Sequence, residues 1–213
     1  MHGLLDRQEA GELLGERLSK YAGRGDVVVL ALPRGGVPIA REIAKILRAP
    51  MDVFVVRKLG VPELEELAMG AVAMGGAEYI DENVVGAFNI SREAIDEVVR
   101  AARIEMARRE SAYRGTRPPV NVRGRVVILV DDGIATGSTM RVAIAALRKL
   151  GPSRVVVATG VAPASTAKML AAEADEFVAL LTPADFRAVG QFYESFPQLS
   201  DEDVCALMDL NSE

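Results

Sequence analysis

Residues 126–140 read VVILVDDGIATGSTM, and this stretch decides the fold of the chain. Its first five residues are valine, isoleucine and leucine without alternation, which is typical of a strand buried on both faces of a parallel sheet. Two aspartates follow directly, and a turn of small and hydroxyl residues then leads into a helical pattern. The stretch therefore predicts a strand, a loop and a helix, with both carboxylates where open α/β sheets bind ligands.

Similar units recur on both sides of this stretch. Short β-branched runs and helical periodicity predict strands at 27–32, 53–56 and 155–160 and helices at 37–47, 92–113, 139–150 and 165–172. Their alternation predicts an α/β fold with a central, mostly parallel sheet flanked by helices. Residues 69–85 differ, since two short apolar runs flank Gly75 and Gly76, and here we expect an antiparallel hairpin outside the core.

Composition limits the partners that the chain can have. The sequence has 213 residues and a net charge of −5, so no general positive field attracts nucleic acid or an anionic bilayer. No apolar run reaches the length of a membrane span. The single cysteine, Cys205, cannot form an internal disulfide, and residues 1–18 carry charges where a secretory signal needs an apolar run. We therefore expect a cytoplasmic protein that binds neither nucleic acid nor membrane.

The turn before the helix at 139–150 has the chemistry of a phosphate site. A helix N-terminus approached by glycine and hydroxyl residues offers free backbone N–H groups, hydroxyl donors and the positive end of the helix dipole. An ATP-binding P-loop would require a lysine directly after Gly137, where this chain has Ser138. A plain N-cap would explain Ser138 alone, but not the strand, acids, turn and helix together. The predicted phosphate-binding residues are Ala135, Thr136, Gly137, Ser138 and Thr139.

The acid pair at the end of the predicted strand suits a sugar. Carboxylates can accept hydrogen bonds from neighbouring ribose hydroxyls, and they can also hold a hydrated Mg²⁺. Asp131 and Asp132 are therefore the predicted ribose-binding residues and the predicted Mg²⁺ ligands, directly or through water.

At this point a resemblance to a known family is visible. VVILVDDGIATGSTM resembles the ribose-phosphate-binding signature of type I phosphoribosyltransferases. LALPRGGVPIA at 30–40 is similar to their first strand and pyrophosphate loop, and VVRKLGVPELEEL at 55–67 to their second strand and mobile catalytic loop. RKLG, GAVA and the late FRAVGQFY segment make the chain most similar to the bacterial "predicted phosphoribosyltransferases".

The resemblance implies a fold and a reaction. The fold would be that of type I phosphoribosyltransferases, with a core at 1–182 that includes an N-terminal helix and a small hood at 183–213. The reaction would transfer the 5-phosphoribosyl group from 5-phosphoribosyl 1-diphosphate (PRPP) to a nitrogen acceptor such as a nucleobase, with Mg²⁺ and release of diphosphate. The resemblance further implies a homo-oligomer, a dimer. The alternative is a regulatory protein that binds PRPP or a nucleotide without turnover.

The loop in LALPRGGVPIA, which resembles the pyrophosphate loop of the family, would supply contacts to the diphosphate. Arg34, Gly35 and Gly36 would bind the diphosphate, because a fixed cation beside exposed backbone N–H groups suits that anion. A tight turn before a helix would explain the glycines but not the arginine. The resemblance also implies a cis peptide between Pro33 and Arg34.

The segment VVRKLGVPELEEL, which resembles the family's second strand and catalytic loop, would supply further cations. Arg57 and Lys58 would face the leaving diphosphate, which makes them catalytic together with Arg34, although solvated charges at a strand end are the plainer interpretation. Residues 60–66 would form a lid that closes over the site and excludes water. Glu65 and Glu66 could equally be exposed helix residues.

Three apolar residues are candidates for acceptor binding, namely Ile134, Phe186 and Val189. Enzymes that use 6-oxopurines tend to have an acid where this chain has Ala135, so the resemblance favours adenine over hypoxanthine or guanine. The arginines between 92 and 125 are interleaved with acids, which predicts a helix with internal salt bridges rather than an RNA-binding surface.

Overall fold

The computed structural model describes residues 3–62, 64–115 and 117–209. The strands are β1 Val27–Ala31, β2 Met51–Val53, β3 Val56–Val61, β4 Leu64–Ala73, β5 Glu78–Ile80, β6 Val126–Gly133, β7 Arg154–Val161 and β8 Glu176–Leu181. The helices are α1 Arg7–Arg17, α2 Gly36–Leu47, α3 Glu82–Ala87, α4 Arg92–Arg114, α5 Ser138–Lys149, α6 Ala164–Glu173 and α7 Asp201–Asp209. Short 3₁₀ turns lie at Ser19–Tyr21, Met74–Gly76 and Val189–Phe192.

A five-stranded parallel sheet in the order β2-β1-β6-β7-β8 forms the centre of the molecule. All of β1 and residues 126–130 of β6 are buried, as the unbroken apolar runs predict. The chain leaves β1 towards β2 on one side and leaves β6 towards β7 on the other. The connections therefore diverge between β1 and β6, and the crevice at their carboxyl ends is the expected ligand site of such a sheet.

Helices cover both faces of this sheet. Right-handed crossovers that run in opposite directions place α2 on one face and α5 and α6 on the other. Helix α1 packs against α2 and also contacts β7 and β8, so it shares the face of α2. No helix within the described ranges combines the length and apolar character that crossing a bilayer requires.

A second, antiparallel sheet in the order β3-β4-β5 is separate from the central sheet, although its Leu59 and Met69 belong to the same hydrophobic cluster. The predicted hairpin around Gly75 and Gly76 is confirmed as β4–β5. The predicted strand at 53–56 is wrong, because β2 ends at Val53 and β3 begins at Val56. Between them the backbone changes sheets: Phe54 N–H donates to Ala31 O, whereas Val55 O accepts from Met74 N–H.

The predicted loop at 60–66 is also mostly strand, since β3 continues to Val61 and β4 begins at Leu64. The segment is the tip of a β-hairpin, with Pro62 in the turn. Residue 63 lies outside the described residues, and of Glu65 and Glu66 only the strand backbone is described. Glu65 and Glu66 are thus not helical, and closure of this tip over the site stays a prediction.

The segment after residue 182 packs onto the core and the N-terminus. Tyr193, Val204 and Met208 are buried in the same hydrophobic cluster as the central strands. Leu4 N–H donates to Phe192 O at 2.8 Å, and Glu194 N–H donates to Leu4 O at 2.8 Å. The division into 1–182 and 183–213 stays a prediction, and the N-terminal residues pair with the hood rather than with the core sheet.

Candidate functional site

The turn between β6 and α5 is open to solvent. Ala135, Thr136, Ser138 and Thr139 are exposed, and only Gly137 is buried. The backbone N–H groups of Thr136, Gly137 and Thr139 find no acceptor among the described residues. The hydroxyls of Thr136 and Ser138 lie 3.1 Å apart. An anion can therefore reach several unpaired donors at the N-terminus of α5.

Gly137 gives this turn its shape. It has a φ of 80°, in the left-handed region that favours glycine. A Cβ there would lie 2.6 Å from Met169 Cε and 3.2 Å from Thr166 Cγ2. The Thr166 hydroxyl also donates to Ala135 O at 2.7 Å, so α6 supports the turn from behind.

We expect Gly137→Ala to reduce the free energy of unfolding by about 1–2 kcal/mol, because alanine resists a positive φ. Met169 can move its terminal methyl, so the chain should still fold. Urea unfolding checks this value, and Gly86→Ala is the matched control. Gly86 lies within α3 and a Cβ there meets nothing within 4 Å, so that change should be neutral or stabilising. Equal stability losses in the two variants would contradict the role of Gly137.

The acid pair ends β6, and its two members have different surroundings. Asp131 Oδ1 accepts the backbone N–H of Asp132 at 2.9 Å. Asp132 Oδ2 accepts from both Nε and Nη2 of Arg7, each at 2.9 Å. Burial raises the pKa of Asp131 well above its ordinary value, and the neighbouring Asp132 raises it further. Burial also raises the pKa of Asp132, but Arg7 opposes that rise.

The loop after β1 lies directly against this acid pair. The peptide between Pro33 and Arg34 is cis, which confirms that prediction. A Cβ on Gly35 would collide with the Asp132 carboxylate, and one on Gly36 would collide with the carbonyl oxygen of Val130. Only glycine permits this close approach. The structure thus brings the predicted diphosphate loop, the acid pair and the phosphate turn to one edge of the sheet.

The side chain of Arg34 is held only by one long, exposed ion pair among the described residues. Its Nη1 lies 3.9 Å from Asp201 Oδ1, at the start of α7, and both side chains are 42% exposed. Exposed pairs of this kind contribute little stability. Asp201 also accepts from the Tyr113 hydroxyl at 2.6 Å, and burial with this hydrogen bond raises the pKa of Tyr113 to about 12. Release of Arg34 towards an anion would therefore leave Asp201 with a partner.

The comparisons with known proteins identify the family. The model of the phosphoribosyl transferase domain matches residues 4–190. The chain belongs to the phosphoribosyltransferase family. "Putative phosphoribosyl transferase Rv0571c" of Mycobacterium tuberculosis is 46% identical over 204 residues, which are 96% of this chain and 46% of that protein. The chain thus spans about half the length of the curated relatives it matches first.

A solved structure shows the same fold along nearly the whole chain. The crystal structure of TT1426 from Thermus thermophilus is 41% identical, covers 98% of both chains and has a TM-score of 0.88. A more distant relative, "Bifunctional protein PyrR" of Leifsonia xyli, is 29% identical over 142 residues, which are 66% of this chain and 60% of that protein. The fold is that of the type I phosphoribosyltransferases, as the resemblance implied.

Arg57 and Lys58 lie on β3 of this phosphoribosyltransferase fold, at adjacent positions. Neighbouring side chains of a strand leave the backbone on opposite faces, so contact with a shared ligand requires one of these long side chains to bend around the strand. Both line a cavity of about 470 Å³ between β3 and α4, together with Glu97. Their common contact with a diphosphate stays a prediction.

The three acceptor candidates lie near the end of β6. Val189 packs so closely on Gly133 that a Cβ on that glycine would collide with it. Phe186 stacks on Phe192 with ring centroids 5.5 Å apart. Ile134 is only 4% exposed, so it contacts an acceptor only if the residues around it move. Acceptor binding by these residues stays a prediction.

A Mg²⁺ ion would find a suitable but partial set of ligands here. Mg²⁺ in phosphate sites usually takes one or two carboxylates and completes its shell with water and substrate oxygens. Within the described ranges no group of three or more His, Cys, Asp or Glu residues lies together. Asp131, a carboxylate with no basic side chain bound to it in those ranges, fits such a shared site.

The sequence did not reveal three residues that surround Asp132. Arg7 binds its carboxylate, Tyr193 donates from its hydroxyl to its carbonyl oxygen at 2.6 Å, and Phe196 lies under the Arg7 guanidinium. Tyr193 and Phe196 belong to the hood predicted at 183–213, for which the sequence indicated no contact with Asp132. Nothing in the local sequence distinguishes Arg7 from other charged residues of a surface helix.

Proposed function

We propose that the chain is a cytoplasmic phosphoribosyltransferase that transfers the 5-phosphoribosyl group from PRPP to a nitrogen atom of a small acceptor. The observation that carries this proposal is the common location of three elements. The open turn at 135–139, Asp131 and the Gly35-Gly36 loop meet where the connections of the sheet diverge. The three parts of PRPP, a monoester phosphate, a ribose and a diphosphate, require three such neighbouring sites.

The phosphate turn would bind the 5-phosphate by the unpaired N–H groups of Thr136, Gly137 and Thr139. The hydroxyls of Thr136 and Ser138, which now contact each other, would turn towards the anion. The positive end of α5 adds to this attraction. Asp131 would accept hydrogen bonds from the ribose hydroxyls and orient the sugar.

The loop after β1 would bind the diphosphate. Arg34 supplies a cation, and Gly35 and Gly36 allow the anion to approach the backbone closely. We propose that Arg57 or Lys58 adds a second cation from β3. Bound Mg²⁺ would supply positive charge that stabilises the departing diphosphate.

The reaction forms a bond between the acceptor nitrogen and C1 of the ribose and breaks the bond between C1 and the diphosphate oxygen. The nitrogen loses its proton to solvent, and diphosphate leaves with the bonding electrons. The contribution of the chain is to align the reactants and to stabilise the negative charge that grows on the leaving group. Chemistry of this type needs no covalent intermediate with the protein.

We propose a nucleobase as the acceptor, with adenine as the first candidate. Its flat ring could lie against Phe186 and Val189 in the hood. Ala135 supplies no acid for the polar groups of a 6-oxopurine. We also propose that the protein is a homodimer, which light scattering would measure.

The experiment is diphosphate release from PRPP with Mg²⁺ across nucleobases and small amines, with mass spectrometry of the product. We expect release with at least one base, and a phosphoribosylated base as product. Tight PRPP binding with no turnover on any acceptor would support a regulatory protein instead. Absence of PRPP binding with or without Mg²⁺ would contradict both functions.

A further inference from the structure

Arg7, the first residue of α1, uses all three nitrogens of its guanidinium to contact groups near the candidate site. Its Nε and Nη2 each lie 2.9 Å from Asp132 Oδ2, and its Nη1 donates to Pro197 O at 2.8 Å. Its guanidinium carbon lies 3.8 Å from the centre of the Phe196 ring. The side chains of Arg7 and Asp132 are 9% and 14% exposed. This is a buried ion pair, which loses much more than an exposed pair when one partner is removed.

The backbone of Asp132 is fixed as well. The Tyr193 hydroxyl donates to its carbonyl oxygen at 2.6 Å, and the Tyr193 ring stacks on Phe196 at 5.0 Å. A Cβ on Gly160 would collide with that hydroxyl, so β7 leaves space for it. We call Arg7, Asp132, Tyr193 and Phe196 the Arg7 cluster. It joins the N-terminal helix, the hood and the end of β6.

The two aspartates of β6 face different layers of the fold. Adjacent strand residues alternate between the faces of a sheet. Because Asp132 meets Arg7 of α1, its side chain lies on the face of α1 and α2. Asp131 therefore points to the other face, where the phosphate turn leads into α5. On its own side, the Asp132 carboxylate lies directly behind Gly35.

We propose that Arg7 is a positioning residue, which holds Asp132 behind the diphosphate loop and leaves Asp131 as the ribose ligand. This inference rests on the proposed function and gives the paired aspartates separate tasks. Asp132 and Arg7 support the loop that receives the diphosphate, and they fasten the hood above it. Without Arg7, the Asp132 carboxylate would turn away from Gly35, and the loop would lose its support.

The experiment compares Arg7→Met, Arg7→Lys, Asp132→Asn and the double variant Arg7→Met with Asp132→Asn. We measure the Kd for PRPP by calorimetry and, with an active acceptor, KM and kcat for diphosphate release. Arg7→Met should raise Kd and KM for PRPP by about tenfold or more, the loss of one charged hydrogen-bonded pair. The value of kcat should change much less, because Arg7 does not touch the reacting atoms. Arg7→Lys should recover part of the loss.

The double variant separates positioning from general stability. If Arg7 acts through Asp132, then Arg7→Met should add little to the effect of Asp132→Asn on the Kd for PRPP. Arg17→Met is the matched control, since Arg17 ends the same helix and donates to Ala179 O at 2.7 Å. It should leave the Kd for PRPP unchanged, and thermal unfolding of each variant shows that it is folded.

Three results would overturn the role of Arg7. These are an unchanged Kd for PRPP in folded Arg7→Met, full additivity in the double variant, and an equal loss in Arg17→Met. In each of these three outcomes, the unaltered chain still binds PRPP. Failure of the proposed function itself would look different, because the unaltered chain would then bind no PRPP.

Discussion

Replacing Asp131 and Asp132 together by asparagine is expected to weaken Mg²⁺-dependent binding of PRPP by roughly 10²–10⁴-fold. Each carboxylate is a charged hydrogen-bond partner worth about 1.5–3 kcal/mol, and asparagine retains the shape without the charge. The loss has two causes. Asp131 no longer offers a charged acceptor to the ribose or a ligand to Mg²⁺, and Asp132 no longer attracts Arg7 behind Gly35. Calorimetric titration with PRPP, with and without Mg²⁺, measures the effect.

The matched control is the double variant Glu93→Gln with Asp96→Asn. It also removes two carboxylate charges, but from the first turns of α4. There Asp96 pairs with Arg92 at 3.2 Å and is 52% exposed. We expect its PRPP binding to equal that of the unaltered chain, and circular dichroism should show that both double variants are folded. Unchanged PRPP binding after loss of Asp131 and Asp132 would contradict their assignment.

The parts of the fold that were predicted from the sequence are those with a strong local pattern. The valine-rich runs became β1, β6 and β7, and the periodic segments became α2 and α5 within a residue or two of the predicted bounds. Strand β6 extends beyond the predicted end to Gly133, because its ladder with β7 continues to the pair Gly133 and Val161. Pairing with a neighbouring strand, rather than local composition, sets that end.

Where the chain changes sheets, local composition was misleading. Residues 53–56 are apolar and three of them are valine, yet Val53 ends a strand of one sheet and Val56 begins a strand of the other. Strand β8 was not predicted at all. It lies at the edge of the sheet and is half-buried along its length, and its apolar run at 177–181 holds one β-branched residue, Val178, where β1 and β6 hold several. Both features depend on which strand lies alongside, which the local sequence does not encode.

In the candidate site, too, residues of one local segment could be predicted, whereas contacts between distant segments could not. The phosphate turn and the loop after β1 each lie within one short segment, so their residues could be named from the sequence. The Arg7 cluster joins residues from three distant parts of the chain. In the local sequence, nothing shows that these residues contact one another. The same limit applies to the buried pair of Asp52 and Arg114, which connects β2 to the end of α4.

Each of the two carboxylate oxygens of Asp52 accepts two hydrogen bonds. Its Oδ1 accepts from Arg114 Nε at 3.1 Å and from Val53 N–H at 2.8 Å. Its Oδ2 accepts from Arg114 Nη2 at 2.7 Å and from Val120 N–H at 3.1 Å. The side chains of Asp52 and Arg114 are 6% and 9% exposed. One carboxylate therefore joins β2, the end of α4 and the segment that leads to β6.

Asp52→Ala is expected to lower the free energy of unfolding by about 3–5 kcal/mol, because it leaves the Arg114 guanidinium buried without its counter-charge. Asp52→Leu with Arg114→Met should recover a large part of that loss, since apolar side chains of similar volume avoid the cost of desolvating two charges. Urea unfolding measures both. Asp26→Ala is the control, because Asp26 pairs with Arg24 in an exposed bridge, 50% and 44% exposed, that contributes little. If Asp52→Ala and Asp26→Ala shift the unfolding midpoint equally, then burial of the Asp52 pair does not stabilise the junction of β2 and α4.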